Sequence, residues 1–446
     1  MRLQKFYYWL IVGLSATTSL ACGQAPEMAN RWQIRENGAI SWSIDHRVPH
    51  EDHIEMSGEK ISAIIRYGVQ VDSSFTIHRS LVWPMLRSHP NKTRNHLNRI
   101  FTWDIIREIH VNEKLMTAEK VKQISLDGTL TVVSTWKPGI EITRTMFPSR
   151  TLPAYIETYQ LKNLSAKPVM VEIPEYANTY VTDSAKGIYG SYKYIAQSTG
   201  GGSFQLEPGK QIMFHAQFYA VKKSETLAGL KPDVERESRQ KLIQQWWSDL
   251  VLETPDEIVN RSFAFAKIRA AESIYRTKGG LMHGPGGGAY YAAIWANDQA
   301  EYVGPFFPYL GYATGNEASL NAYKHFARYM NPEFKAIPSS IIAEGEGTWH
   351  GAKDRGDAAM IAYGASRFAL SLGDKKIAGE LWPSSNGPWN FVIKRSTKTE
   401  LWRPTQTSLK TGSRPATQTF VLPRYIMTLC CRPHTWAKNL ANQPRS

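Results

Sequence analysis

The sequence predicts a multidomain β + α protein: an N-terminal β-sandwich, a helical linker and then an array of helical hairpins. Apolar residues alternate with period two between about residues 30 and 225, and the period changes to that of an amphipathic helix after Lys223. Beyond that point the helical segments are joined alternately by long and short connections. With 446 residues and 42% hydrophobic content, the chain is long enough for more than one core.

Period-two runs cover Ile61 to Val71, Leu130 to Trp136, Ile140 to Met146, Tyr155 to Leu161, Val169 to Pro174 and Gln211 to Val221. Gly, Pro, Asn, Asp and Ser separate them, and several short strands so spaced describe a sandwich or barrel, here assigned to 30–225. Pro208-Gly209 marks a tight turn that opens the last strand. Helix period takes over from Val234 to Leu252, within a linker at 230–254. Leu242, Ile243, Trp246, Trp247 and Leu250 share one side of it, and Arg236, Arg239, Lys241 and Gln245 lie elsewhere.

Five further helical patterns fill 255–383: Pro255 to Tyr275, Asn297 to Ala313, Asn316 to Tyr329, Arg355 to Leu372 and Asp374 to Leu381. No strand is expected among them. Long loops, Thr277 to Ile294 and Asn331 to Asp354, follow the first and third helices, whereas Thr314-Gly315 and Gly373 make short turns after the second and fourth. This alternation places both long loops at one end of the array, where functional side chains are expected.

Those loops hold the candidate chemistry. Asp298 and Glu301 stand three residues apart at a helix opening, hence on one face, with Trp295 beside them as a stacking platform. Helix capping by Asp298 is the bland alternative. In the second loop Glu344 and Glu346 sit among glycines next to Trp349 and His350. A pair of carboxylates can protonate a leaving oxygen and activate water. Asp298, Glu344 and Glu346 are therefore the catalytic candidates, and Trp295, Glu301, Trp349 and His350 the substrate-binding ones; a solvated acidic turn competes for the second loop. Asp354 and Asp357 precede an apolar run, which predicts that one of them caps the next helix. The Gly284 to Gly288 run lacks the Lys and Ser or Thr of a phosphate cradle, and neither a cofactor nor a metal is expected.

At these residues the sequence, from about 30 to 383, resembles the six-hairpin glycosidase superfamily. Trp295, Asp298, Glu301 and the following Pro305-Phe306-Phe307 are similar to the Trp-Asp-x-Glu stretch of one branch of sandwich-plus-barrel glycoside hydrolases and phosphorylases. The match departs by two extra residues, Ala296 and Asn297, between Trp and Asp, and by one more between Asp and Glu. The resemblance implies an incomplete (α/α)6 barrel over 255–383, a carbohydrate substrate, and hydrolysis of glycosidic bonds in an oligo- or polysaccharide. For Asp298 it implies contact with sugar hydroxyls more than proton transfer. A non-catalytic carbohydrate-binding or structural protein is the alternative, with a polysaccharide lyase a minor one.

The ends of the chain read differently from its body. Arg2 and Lys5, the apolar run Phe6 to Leu14 and small residues up to Ala25 form an export signal over 1–25, predicting a periplasmic, cell-surface or secreted protein. Within it, Ser19-Leu20-Ala21-Cys22 offers a lipoprotein site, by which a lipidated Cys22 would attach the protein to a membrane. The other cysteines are Cys430 and Cys431, so the body is expected to fold without a disulfide. From Ser384 onward ten Lys or Arg face a single acid, Glu400, so +9 of the net charge of +14 resides there. The body thus lacks a basic stripe, and nucleic acid is not an expected partner. Helical period stops after Trp382-Pro383, and 384–446 reads as an aberrant tail, disordered or frameshifted. Codons compatible with Pro383 to Phe391, read from the third base of the proline codon, permit an amphipathic helix; those of Thr399 to Pro415 then permit an acidic loop. A frameshift would truncate the barrel. The sequence does not fix an oligomeric state.

Overall fold

The structure is a computed structural model that describes residues 31–44, 49–88, 95–137, 139–286, 293–331, 335–342, 347–349 and 356–381. The export signal, the tail from 382 onward, and the loop residues Glu344, Glu346 and His350 lie outside the described residues.

The first part of the chain is rich in sheet. Its strands are β1 (Gln33–Ile34), β2 (Ile40–Ser43), β3 (His50–Gly58), β4 (Ile61–Val69), β5 (Phe75–Arg87), β6 (His96–Phe101), β7 (His110–Val111), β8 (Lys114–Leu115) and β9 (Lys120–Leu126). They continue with β10 (Leu130–Trp136), β11 (Ile140–Pro148), β12 (Ala154–Asn163), β13 (Val169–Ile173), β14 (Ala177–Val181), β15 (Tyr192–Thr199), β16 (Gly202–Leu206) and β17 (Gln211–Lys222). One nine-stranded sheet runs β1-β2-β9-β10-β11-β12-β17-β15-β14, and two four-stranded sheets run β3-β4-β5-β6 and β16-β13-β7-β8. A single core fills the space between layers, with Ile124, Val132, Ile142, Tyr159 and Phe214 from the large sheet and Ile61, Ile65, Leu81 and Leu97 from the β3–β6 sheet. The turn after Leu206, closed by Lys210 N–H donating to Glu207 O at 3.0 Å with Gly209 at φ +76°, joins β16 to β17. Since these strands belong to different sheets, the turn carries the chain from one layer to another.

Burial explains which strands the alternation reveals. In β10, Leu130, Val132 and Ser134 are buried while their neighbours are half-buried, the signature of a sheet with one face inward. β4 is buried on both faces apart from Arg66. Its odd residues enter the core, while Ile64, with Val82 of β5, packs against Tyr275 from the helical part.

That part begins with α1 (Pro232–Ser248) and α2 (Glu257–Glu272) and continues with short strands β18 (Ile274–Thr277), β19 (Gly280–His283) and β20 (Ala293–Trp295). Next come α3 (Ala296–Asp298), a π turn at Gln299–Val303, α4 (Gly304–Leu310), α5 (Ala313–Ala327), β21 (Ser340–Ile342), β22 (Thr348–Trp349) and α6 (Asp357–Leu372), with helix again at 375–381.

The expectation of helices without strands beyond 255 is corrected here. The β18–β19 hairpin forms because it docks on the β3–β6 sheet: Arg276 N–H donates to Glu59 O at 2.8 Å, and the Tyr275 hydroxyl lies 3.3 Å from Ser57 Oγ. A helix interior has no spare N–H for such a bond. The turn expected at Thr314-Gly315 sits instead at Gly311-Tyr312. Gly311 takes the left-handed cap (φ +69°), while Gly315 lies inside α5 because the Phe307 ring occupies the place of a side chain there. The residue before α6 is Gly356, at φ +85°, without a side-chain cap; Asp357 instead accepts a bond from Ser339 Oγ at 2.7 Å. Leu250, expected on the apolar side of the linker helix, lies beyond the end of α1 at φ +49° and is exposed.

Arg239 is the larger correction, since it is buried. Its guanidinium donates to Ser57 O at the end of β3 (2.7 Å), to Gly128 O in the β9–β10 turn (2.9 Å) and to Glu272 of α2. Glu272 also accepts from Arg269, which reaches Glu55 of β3 at 2.7 Å. Gly128 (φ +99°) is needed beneath α1, because a Cβ there would stand 2.5 Å from Ile243. Removing one member of a buried, fully bonded ion pair leaves charge and carbonyls unanswered, a loss of about 3 kcal/mol or more. Arg239→Met is therefore expected to lower the denaturant midpoint markedly, and Arg239→Met with Glu272→Leu to recover part of that loss; chemical denaturation of the two variants checks this.

Candidate functional site

The two long loops meet in a small sheet. β20 from the first pairs with β21 from the second, and β21 pairs with β22, so that Trp295, Ser340 and Trp349 are direct cross-strand neighbours on one face. Ser340, small and buried, turns its hydroxyl to Ile294 O at 2.9 Å, and the indoles flanking it meet edge to face at 5.2 Å. Trp349 is 43% exposed, which leaves ring surface open for stacking.

The chain turns from β20 directly into α3, with Ala296 N–H bonded to Ser339 O at 3.0 Å. Trp295 occupies the N-cap position and makes no side-chain cap bond. Asp298 is therefore not the cap, although its place in the first turn suits the helix dipole. Its carboxylate accepts the hydroxyl of Tyr302, four residues on. Burial and the adjacent Asp298 carboxylate raise the pKa of that phenol well above its ordinary range, so the phenol keeps its proton and stays a donor. Glu301 is exposed and close enough to Tyr302 to add to the same effect.

A π turn follows Asp298 because ordinary helix bonding fails there. Pro305 and Pro308 bring no N–H, and Gly304 N–H bonds to Gln299 O across the wider turn. Tyr323 adds its hydroxyl to the same oxygen at 2.9 Å. The turn is packed at two glycines: a Cβ on Gly304 would fall 2.0 Å from the Tyr323 hydroxyl, and one on Gly364 of α6 would fall 2.5 Å from Ala300 Cα. Beneath it, buried His283 touches the rings of Tyr302 and Phe307 edge-on, and burial lowers its pKa to about 3.

No protein-family model matches the sequence, and no curated protein matches it. Among solved structures the chain is similar to a candidate kojibiose phosphorylase from the human microbiome, at TM-score 0.50 and 9% identity over 78% of this chain and 57% of that one. A bacterial glucoamylase complexed with acarbose aligns at TM-score 0.41 and 11% identity over 79% of this chain and 58% of that one. A glycosyl hydrolase of the GH92 family, ccman5, aligns at 0.20 and 11% over 76% and 54%. Over the aligned part the chain shares the fold of that phosphorylase. It spans 57% of the phosphorylase's length, and at 9% identity the likeness speaks to fold.

Of the residues singled out from sequence, Trp295 and Trp349 share one sheet face, Asp298 ends α3 and Glu301 lies in the π turn that follows. Glu344, Glu346 and His350 lie outside the described residues. Tyr302, Ser340 and His283 escaped the sequence reading; for Tyr302 the signal was its spacing of four from Asp298. Among the described residues no group of three or more His, Cys, Asp or Glu could hold a metal ion. The arrangement offers an aromatic platform and, three residues on from Trp295, a carboxylate held by a phenol, groups of the kind that meet a sugar's apolar face and hydroxyls.

Loss of a hydrogen bond to a charged group costs about 1.5–3 kcal/mol. Because this bond is exposed, Tyr302→Phe is accordingly expected to lower stability by that much or less, read by chemical denaturation, with the fold retained by circular dichroism. His283 supplies a pH test. Its folded pKa of about 3 lies below the ordinary 6.5, so the unfolded chain binds the extra proton between those values and stability falls as pH drops through that window. One such proton contributes at most about 1.4 kcal/mol per pH unit. His283→Phe should flatten the decline of the denaturation midpoint between pH 6.5 and 4, and an unchanged slope would remove His283 as its source.

Proposed function

We propose that the chain is a carbohydrate-active protein of glycoside hydrolase type, acting on an oligo- or polysaccharide at the Trp295–Trp349 platform. The observation that carries this reading is the platform itself, in which two indoles from two loops meet, with the Asp298–Tyr302 pair following Trp295 in the chain. Asp298 accepts a hydroxyl of the sugar next to the scissile bond, and Trp349 covers its apolar face. One of Glu344 or Glu346 joins Asp298 at the subsite, and the carboxylates that protonate the leaving oxygen and activate water are drawn from these three. The likeness in fold to a candidate kojibiose phosphorylase supports the choice of substrate class. On this reading the helical part is an incomplete (α/α)6 barrel, the protein is exported, and Cys22 is a lipid-attachment point.

The test is a panel of oligosaccharides assayed for binding and for release of reducing ends. Trp349→Ala is expected to weaken binding about tenfold, and Asp298→Asn to lower turnover about a hundredfold or more. Wild-type affinity and turnover in both variants would overturn the assignment. Binding without hydrolysis selects the non-catalytic reading, and an unsaturated product selects a lyase. If the tail is frameshifted, the polypeptide as written hydrolyses little and a frame-restored version hydrolyses more.

A further inference from the structure

A second aromatic groove lies in the sheet region and shares no residue with the Trp295–Trp349 platform. It opens where two edge strands approach each other, β6 of the four-stranded sheet and β14 of the nine-stranded one. Its cavity of about 140 Å³ is lined by Arg99, Thr102, Trp103, Tyr176, Asn178 and Tyr180, among others. That is far above the roughly 15 Å³ one water needs, and below the range of large-ligand pockets.

The rings are held rigidly. Trp103 stacks on Tyr176 at 4.0 Å with its indole N–H fixed to Glu108 Oε1 at 2.8 Å. Tyr180 and Tyr194 are cross-strand partners on one face, and the Tyr194 hydroxyl is tied to Asn98 O at 3.0 Å. Tyr180 is 52% exposed, which leaves ring area for a ligand.

Arg99 stands out among these groups. Its guanidinium carbon lies 4.5 Å from the ring centre of Tyr180, 5.1 Å from that of Tyr194 and 5.6 Å from that of Phe101, so three rings surround it. Among the described residues no carboxylate pairs with it, unlike Arg79, Arg144 and Arg239, each bonded to an acid. A planar cation with its donors uncommitted is built to take a carboxylate through two parallel bonds. Flat rings beside it suit the C–H face of a sugar, and Asn178 and Thr102 offer polar groups to hydroxyls.

We propose that this groove binds an acidic saccharide through the carboxylate of a uronic-acid unit, with Arg99 as its anchor and Tyr180 as its stacking face. Calorimetric titration of the whole chain with an oligogalacturonate, a neutral malto-oligosaccharide and an acidic peptide tests this. The oligogalacturonate is expected to bind, the other two to bind more weakly, and Arg99→Gln to weaken the first by about tenfold or more. Tyr180→Ala, at an exposed position that does not threaten folding, is expected to act in the same direction, whereas Asp298→Asn leaves this affinity unchanged. No binding of oligogalacturonate at millimolar concentration would overturn the proposal. So would equal binding of the neutral sugar or the peptide, unchanged affinity in both groove variants, or loss of affinity in Asp298→Asn alone.

Discussion

Arg239 places a full positive charge where water barely reaches, and groups from three other segments answer it. Ser57 O comes from the end of β3, Gly128 O from the β9–β10 turn and the carboxylate of Glu272 from α2. A guanidinium reaches all of these at once because its donors fan out in one fixed plane. Through Glu272 and Arg269 the set extends to Glu55, so two helices are pinned to one edge of the sheet region. Apolar contact alone would allow these helices to slide, since burial of area has no direction. The ion-pair set gives direction to the junction.

Everything downstream inherits that position. α2 leads straight into the β18–β19 hairpin, whose Tyr275 fills the outer face of the β3–β6 sheet between Ile64 and Val82. The hairpin ends at His283, beneath the π turn that follows Asp298. Gln299 reaches back to His283 O at 3.2 Å, so the turn is referenced to the hairpin and through it to the sheets. Placement of the candidate carboxylate thus depends on a chain of contacts that starts in the sheet region.

The local geometry of the platform rests on small residues. Ser340 lets two indoles from outer strands meet above it, and Gly304 and Gly364 admit the Tyr323 hydroxyl and Ala300 where any side chain would collide. Prolines 305 and 308 withhold donors from the helix and leave the wider turn as the way to complete its bonding. These choices set the aromatic rings and the Asp298–Tyr302 bond on rigid elements.

The sequence by itself determined those features in which a single chain segment carries the information. Leu130–Trp136 alternates because one face of that strand is inside, and it forms β10 with the bounds the alternation marks. Gly373 ends α6 in the left-handed conformation that glycine permits. Leu242, Ile243 and Trp246 are the buried stripe of α1 that helix period indicates. Tertiary structure decided what periodicity cannot register. Arg239, polar by type, is inside because its acceptor Ser57 arrives from 182 residues away. Trp295 and Trp349 each looked like a stacking residue in its own loop, but their meeting over Ser340 depends on strand pairing between loops. Such pairs leave no local trace, because the energy that fixes them is gained only when distant segments are brought together.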